Sequence, residues 1–343
     1  MRRMLPLLLL CLMCLLAPRA LSEAAPSMAP VPTLEPLPAE PVRVLISAAG
    51  DCTLGGEVKS GIEMRFTRCA EKNGPDYFFA NVQNLFAEDD FTLVNLEGPL
   101  TTATKYASKT YVMRGDPAYA SILSGASVDV VNLANNHTRD FGDVGYRDTL
   151  SALESAGVAA SGNDILYIAE KQGYRIGFIG FERWHHSAAD AVEGVKAARD
   201  QCDLLIVSVH WGEEYDYTAN TDQQKLGRAL IDAGADLVLG THPHVIQGVE
   251  RYRDKYIVYS LGNFCFGGNT DPDDQDCYIF QQAFLLDASG ASDGGIRIIP
   301  CAVSSSASTN NYQPTPLTGD RAERLAAKIE KLSDLEDALW LAD

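Results

Sequence analysis

Leu204-Leu205-Ile206-Val207-Ser208-Val209-His210-Trp211-Gly212 is the stretch from which the fold of this chain is read. Five of its six leading residues are apolar, with almost no alternation, as in a strand covered on both faces, and the histidine stands where the strand gives way to a loop. The pattern recurs. Val42 to Ala49, Phe91 to Asn95, Val128 to Leu133, Arg175 to Phe181, Leu237 to Gly240 and Tyr256 to Ser260 are apolar runs of strand length. Between them, Tyr146 to Ala156 and Gln223 to Ala233 carry Leu and Ala at helical spacing. Gly157 and Gly234 follow, suited to the left-handed residue past a last helical turn. Alternating strands and helices predict an α/β fold, in which ligands gather at the carboxyl ends of the strands.

Those ends carry the chemistry. Asp51 closes the first run, Glu97 the second, Asn135-Asn136-His137 the third, His210 the fifth and His242-Pro243-His244 the sixth; four of the six histidines of the chain lie in these loops. Pro243 disfavours helix at His242, and an extended backbone there points both imidazoles to one side. An asparagine oxygen can ligate a metal while the neighbouring histidine gives or takes a proton. Asp51 and Glu97 supply hard anionic oxygens of the kind that hold two cations a few ångströms apart. Each feature alone has a plain structural reading: a carbonyl-bonded histidine, an asparagine turn, a helix cap. Their conjunction at five strand ends points to one divalent metal centre.

The rest of the chain sets the frame. At 343 residues and 46% hydrophobic composition it can bury a sizeable core. Arg2-Arg3, the apolar run Leu5 to Ala17 and Ala20-Leu21-Ser22 read as a secretory signal peptide over residues 1–22, with retention as an N-terminal anchor the alternative. Residues 23–41 hold six of the sixteen prolines and read as a linker. The folded domain is expected over 42–312 and a helical tail, free of chemistry, over 313–343. A secreted or cell-surface location follows. Six cysteines remain after the leader, and in an exported chain they suggest disulfides, with Cys52–Cys69 and Cys265–Cys277 closing loops of modest length. The net charge of -18 excludes nucleic acid as a partner, since its backbone needs clustered Lys and Arg. An anionic substrate would need metal ions or a local basic patch. Asn135, Asn163 and Asn263, in glycine- or asparagine-rich turns, and Arg183 after the Arg175 to Phe181 strand are candidate substrate contacts.

Six motifs in order, from Gly50-Asp51-Cys52-Thr53-Leu54-Gly55 through Asn95-Leu96-Glu97-Gly98-Pro99-Leu100, Asn132 to His137, Ser208 to Gly212 and His242-Pro243-His244 to Tyr259-Ser260-Leu261-Gly262-Asn263-Phe264, resemble the CapA family of bacterial poly-γ-glutamate capsule synthesis proteins. The resemblance implies a metallophosphatase-like four-layer α/β/β/α sandwich with mixed sheets and a place in making or exporting an anionic capsular polymer beside membrane capsule-synthesis proteins. It also implies one or two divalent ions such as Mn, Zn or Fe, with Asp51, Glu97, Asn136, His210, His242 and His244 as metal ligands and His137 as proton donor. The alternative function is a metal-dependent phosphoester hydrolase of the cell envelope. One departure stands out: metallophosphatases carry Asp-x-His at the end of the first strand, and here Thr53 takes the histidine's place, so one metal position lacks an imidazole.

Overall fold

Seven apolar runs become seven strands, divided between two sheets, in a computed structural model that describes residues 40–272, 274–336 and 338–341. The expected signal peptide and all but the end of the expected linker lie outside the described residues. In the first sheet, Val42–Thr53 runs parallel to Phe91–Leu96, which is followed by Val130–Asn132 and Ala159–Ser161 in the same sense. On its other side lies a long antiparallel hairpin, Asp276–Asp287 and Gly290–Ala302. In the second sheet, Tyr174–Glu182, Leu204–His210, Leu237–Thr241 and Lys255–Val258 are parallel, and antiparallel Tyr167–Lys171 and Val249–Tyr252 edge them. Both sheets are therefore mixed.

Burial alternates along the strands and so builds three apolar layers. Leu204 and Ile206 face inward to join Val44, Ile46, Leu93, Ile176, Phe178 and Phe280 between the sheets. Leu205, Val207 and Val209 face outward, beneath the helices Ala188–Arg199 and Thr221–Asp232 with Val195, Leu226 and Leu230. On the far side Val94, Leu96 and Val131 pack under Phe66, Leu123 and Leu153 from the helices Glu63–Asn73, Ala120–Gly125 and Gly142–Ala156. The layer order is helix, sheet, sheet, helix. Burying such side chains stabilises by about 1.5–3 kcal/mol each, so the sandwich rather than any one helix holds the fold.

The amino ends of the parallel strands share one device. Asp90, Asp129, Asp203 and Asp236 each precede a strand, and each carboxylate accepts the backbone N–H of the adjacent strand, at Leu45, Thr92, Arg175 and Leu205, all at 2.8 Å. Each aspartate's own N–H returns to the carbonyl of the same residue. The pair of bonds satisfies the strand's first free backbone groups.

Two expectations are corrected. Among the described residues the six cysteines are free thiols: Cys277 faces Cys301 across the hairpin rather than Cys265, whose thiol donates to the Tyr312 carbonyl, and Cys69 lies on a helix against the Asn311 carbonyl rather than on Cys52. The tail is helical only over Gly319–Leu332; beyond it the chain bridges back to the sheets at Glu250↔Asp334 and Ile296↔Trp340. Leu325 and Ile329 of this helix are buried in the layer between the sheets, so it packs as part of the domain. Gly157, at φ 74°, closes its helix as expected.

Candidate metal centre

The site forms because the carboxyl ends of both sheets meet. Gly50 makes the approach possible: a Cβ there would stand 1.9 Å from the Gly262 carbonyl oxygen, and the next residue, Asp51, donates its N–H to that oxygen at 3.0 Å. The register of the first strand shifts at this point: Gly50 is left without a partner on the second strand, and Asp51 pairs with Asn95 on one side and Asn263 on the other. Its Oδ1 accepts from Asn95 Nδ2 at 2.7 Å and its Oδ2 from the His242 backbone N–H at 3.3 Å. The side chain is fully buried.

Around Asp51 the expected donors converge. Glu97 Oε1 lies 3.8 Å from His210 Nε2, 3.8 Å from His244 Nε2 and 4.0 Å from His137 Nε2. His244 Nδ1 is 3.4 Å from Asp51 Oδ2, and His210 Nδ1 is 4.0 Å from Asp51 Oδ1. Asn136 Oδ1 meets His210 Nε2 at 3.1 Å. The His242 ring lies 4.8 Å from that of His210 and 5.9 Å from that of His244, centroid to centroid. The backbone of the His-Pro-His turn is not extended as expected: His242 and His244 hold φ of 101° and 58°. Such conformations in non-glycine residues cost on the order of 1–3 kcal/mol and persist where the surroundings over-determine them. Here they bring two imidazoles onto one cleft.

The donor set fits a divalent cation. Both carboxylate oxygens of Glu97, 1% exposed, lack a hydrogen-bond partner, as does His242 Nδ1. A buried carboxylate without partners is costly, and a cation among oxygens and imidazoles removes that cost. One oxygen or nitrogen from each of Asp51, Glu97 and His244 lies within 4.8 Å of the others. Burial pushes the Glu97 carboxyl up to about 8 against the pull of His244. Burial works against charge on His244 too, but the Glu97 and Asp51 carboxylates outweigh it and raise the imidazole to about 10. Burial and neighbouring imidazoles lower His242 to about 4 and hold His210 well below its ordinary value. Two imidazoles are thus neutral near pH 7, as metal ligation requires.

His137 is set for proton transfer. Its Nδ1 meets Asp140 Oδ2 at 2.7 Å, which leaves Nε2 toward Glu97. Asp140 is fully buried and also accepts from Lys109 Nζ at 2.5 Å and Met113 N at 2.7 Å. Lys109 further reaches the Asn136 carbonyl at 2.5 Å. Sequence reading missed Lys109, whose loop carries no pattern pointing to a site, and Asn95 and Thr241, which hold Asp51 and His210 through side-chain bonds.

The four expected substrate contacts are engaged within the protein. Asn135 donates to the Leu96 carbonyl and accepts the His137 N–H. Asn263 bonds His244 Nδ1 at 2.9 Å and the His244 carbonyl at 3.1 Å, and so orients that ring. Asn163 ties its turn to the Leu133 carbonyl, and Arg183 donates to the His186 carbonyl. Trp184, half exposed, sets its ring 4.6 Å from that of His242 at the rim of the cleft.

Comparison with known proteins gives a consistent picture. The chain is 31% identical over 245 residues to the PGA biosynthesis protein CapA of Bacillus subtilis, covering 64% of this chain and 62% of that protein. It is 30% identical over 254 residues to the capsule biosynthesis protein CapA of Bacillus anthracis, covering 65% and 60%. The chain thus spans less than two thirds of the length of these relatives. Among solved structures, a calcineurin-like phosphoesterase of Bacillus subtilis superposes with a TM-score of 0.47 at 14% identity, over 85% of this chain and 97% of that one. The model of the family described as bacterial capsule synthesis protein PGA_cap matches residues 45–268, and by that match this chain belongs to the PGA_cap family.

Proposed function

We propose that this chain serves the synthesis or export of an anionic capsular polymer of the poly-γ-glutamate kind at the cell envelope, and that its cleft is a divalent-metal-dependent hydrolytic site. The observation that carries the reading is Glu97: a buried carboxylate with both oxygens unpartnered, ringed by Asp51, His137, His210 and His244. The relatives named for PGA and capsule biosynthesis support the cellular role. Asp51, Glu97, Asn136, His210, His242 and His244 would hold the metal, which when bound supplies Lewis acidity and lowers the pKa of an attacking water. Asp140 holds the His137 ring through Nδ1, so that Nε2 faces the cleft and delivers a proton to the departing oxygen or nitrogen of the substrate. Asn135 and Asn263 keep His137 and His244 in place, and Trp184 shields one wall of the site from water.

A second reading, in which the cleft only holds polymer carboxylates while partner membrane proteins build the chain, is favoured by Thr53 in place of an imidazole. One experiment separates the two. The purified chain and its His137→Ala and His210→Ala variants are assayed for bound metal and for turnover of a phosphoester panel and of γ-glutamyl oligomers. The hydrolase reading expects His137→Ala to keep its metal and lose roughly 100-fold in kcat or more, and His210→Ala to lose both. Metal and oligomer binding with no turnover of any substrate would leave the holding role.

A further inference from the structure

The turn after His210 brings a carboxylate to the cleft that the expected ligand set omits. Glu214 is exposed, yet one of its oxygens and ring nitrogens of His242 and His244 all lie within 4.8 Å of one another. Its placement is built by the backbone. Gly212, at φ 85°, turns the chain, Tyr215 donates its N–H to the Pro243 carbonyl at 2.8 Å, and Gln247 Nε2 donates to the Asp216 carbonyl at 2.8 Å. The loop is thereby latched to the His-Pro-His turn. Tyr215, His242 and His244 all hold positive φ, so the strained residues of this corner are those that face Glu214 toward the two imidazoles. A second observation points to a ligand: His242 Nδ1 is buried without a hydrogen-bond partner.

Resting on the reading of the cleft as a metal centre, we propose that Glu214 is a metal ligand, acting with His242 and His244 to supply the donor that Thr53 does not. A carboxylate in place of an imidazole makes the donor set harder. With Asp51 and Glu97 also grouped about His244 and the Asn136 amide oxygen beside His210, oxygen donors outnumber imidazoles in the centre, which suits a hard ion such as Mn2+ better than Zn2+.

The test uses the whole chain, stripped by a chelator and titrated separately with Mn2+ and Zn2+ by calorimetry, with retained metal counted by mass spectrometry after desalting. Wild type, Glu214→Gln, Glu213→Gln and His210→Ala are compared, and a thermal melt of each metal-free protein checks folding. Glu214→Gln should weaken Mn2+ binding about tenfold or more, weaken Zn2+ binding less, and melt with wild type. Glu213→Gln should bind as wild type does. If Glu214→Gln binds Mn2+ as tightly as wild type while His210→Ala does not, the metal centre stands and Glu214 is outside it. If wild type itself binds no metal, both readings fall.

Discussion

At the amino ends of the parallel strands, Asp90, Asp129, Asp203 and Asp236 each accept a backbone N–H from the neighbouring strand; at the carboxyl ends, Glu97 is more deeply buried than any of them and accepts no hydrogen bond. Aspartate 236 makes the contrast sharpest, for besides the Leu205 N–H it takes Arg199 at 2.6 Å and Lys255 at 2.8 Å. The residue chemistry is the same at both ends, and the difference lies in whether the lone pairs are already used. Asp236, its bonds made by one backbone N–H and two cations, belongs to the scaffold. An acid with its oxygens left open, among imidazoles of which His210 and His242 are held neutral, is arranged for something that arrives later.

The contrast can be broken most forcefully at Glu97. Glu97→Gln should weaken Mn2+ binding roughly 100-fold, about 2.7 kcal/mol, while the metal-free protein melts no lower than wild type, because neither Glu97 oxygen accepts a hydrogen bond and Asp51, 3.4 Å from His244 Nδ1, still pairs that imidazole. A lower melting temperature without metal would mean that the scaffold needs this carboxylate, and the distinction between the two ends would fail. The opposite behaviour is expected of Asp236→Ala, which strands a buried N–H and two cations at the amino end. It should cost roughly 2–3 kcal/mol in denaturant unfolding and leave the Mn2+ affinity unchanged.

Asp89 sharpens the comparison with a smaller effect. It lies at the amino end, but only one of its oxygens is used: Oδ2 accepts from Thr92 Oγ1 at 2.6 Å, while Oδ1 is buried without a partner. Burial pushes its carboxyl up to about 7. An acid raised in the folded state contributes stability that is present below its unfolded value of about 3.9 and is lost as the pH rises through 7. Asp89→Asn should therefore flatten the fall in melting temperature between pH 5 and 8, gaining on wild type at the alkaline end. Equal pH slopes for the two proteins would show that Asp89 is ionised without penalty.

The strands were legible because each is buried on both faces and so written as an unbroken apolar run, and the donors were legible because they sit one step past those runs. The Asp276–Asp287 and Gly290–Ala302 hairpin was not, since its buried positions include Gln281 and Gln282. Ser47 and Arg297 bond Gln281, and that pairing is visible only once the strands lie side by side. Lys109 and Glu214 escaped for a related reason. Each reaches the cleft from a polar loop, and what fixes them is a contact with a distant segment: Lys109 with Asp140, and the neighbour of Glu214 with Pro243. The extended backbone expected at His242 gave way to positive φ because the turn is held by those tertiary bonds, not by local preference. The four amino-end aspartates carry an equally regular pattern, an acid one residue ahead of an apolar run, whose meaning appears only when the adjoining strand supplies the N–H.

The junction at Gly50 and Gly262 has a kinetic corollary. Donors from Asp51 to His244 come from both sheets, and the N–H that reaches Asp51 belongs to a residue 191 positions away. A nascent chain released before His244 holds an incomplete donor set, and a half-formed sandwich leaves its donors apart. On the proposed reading of the cleft as a metal centre, cation capture is expected among the last events of maturation, and retained metal should report that a molecule has finished folding.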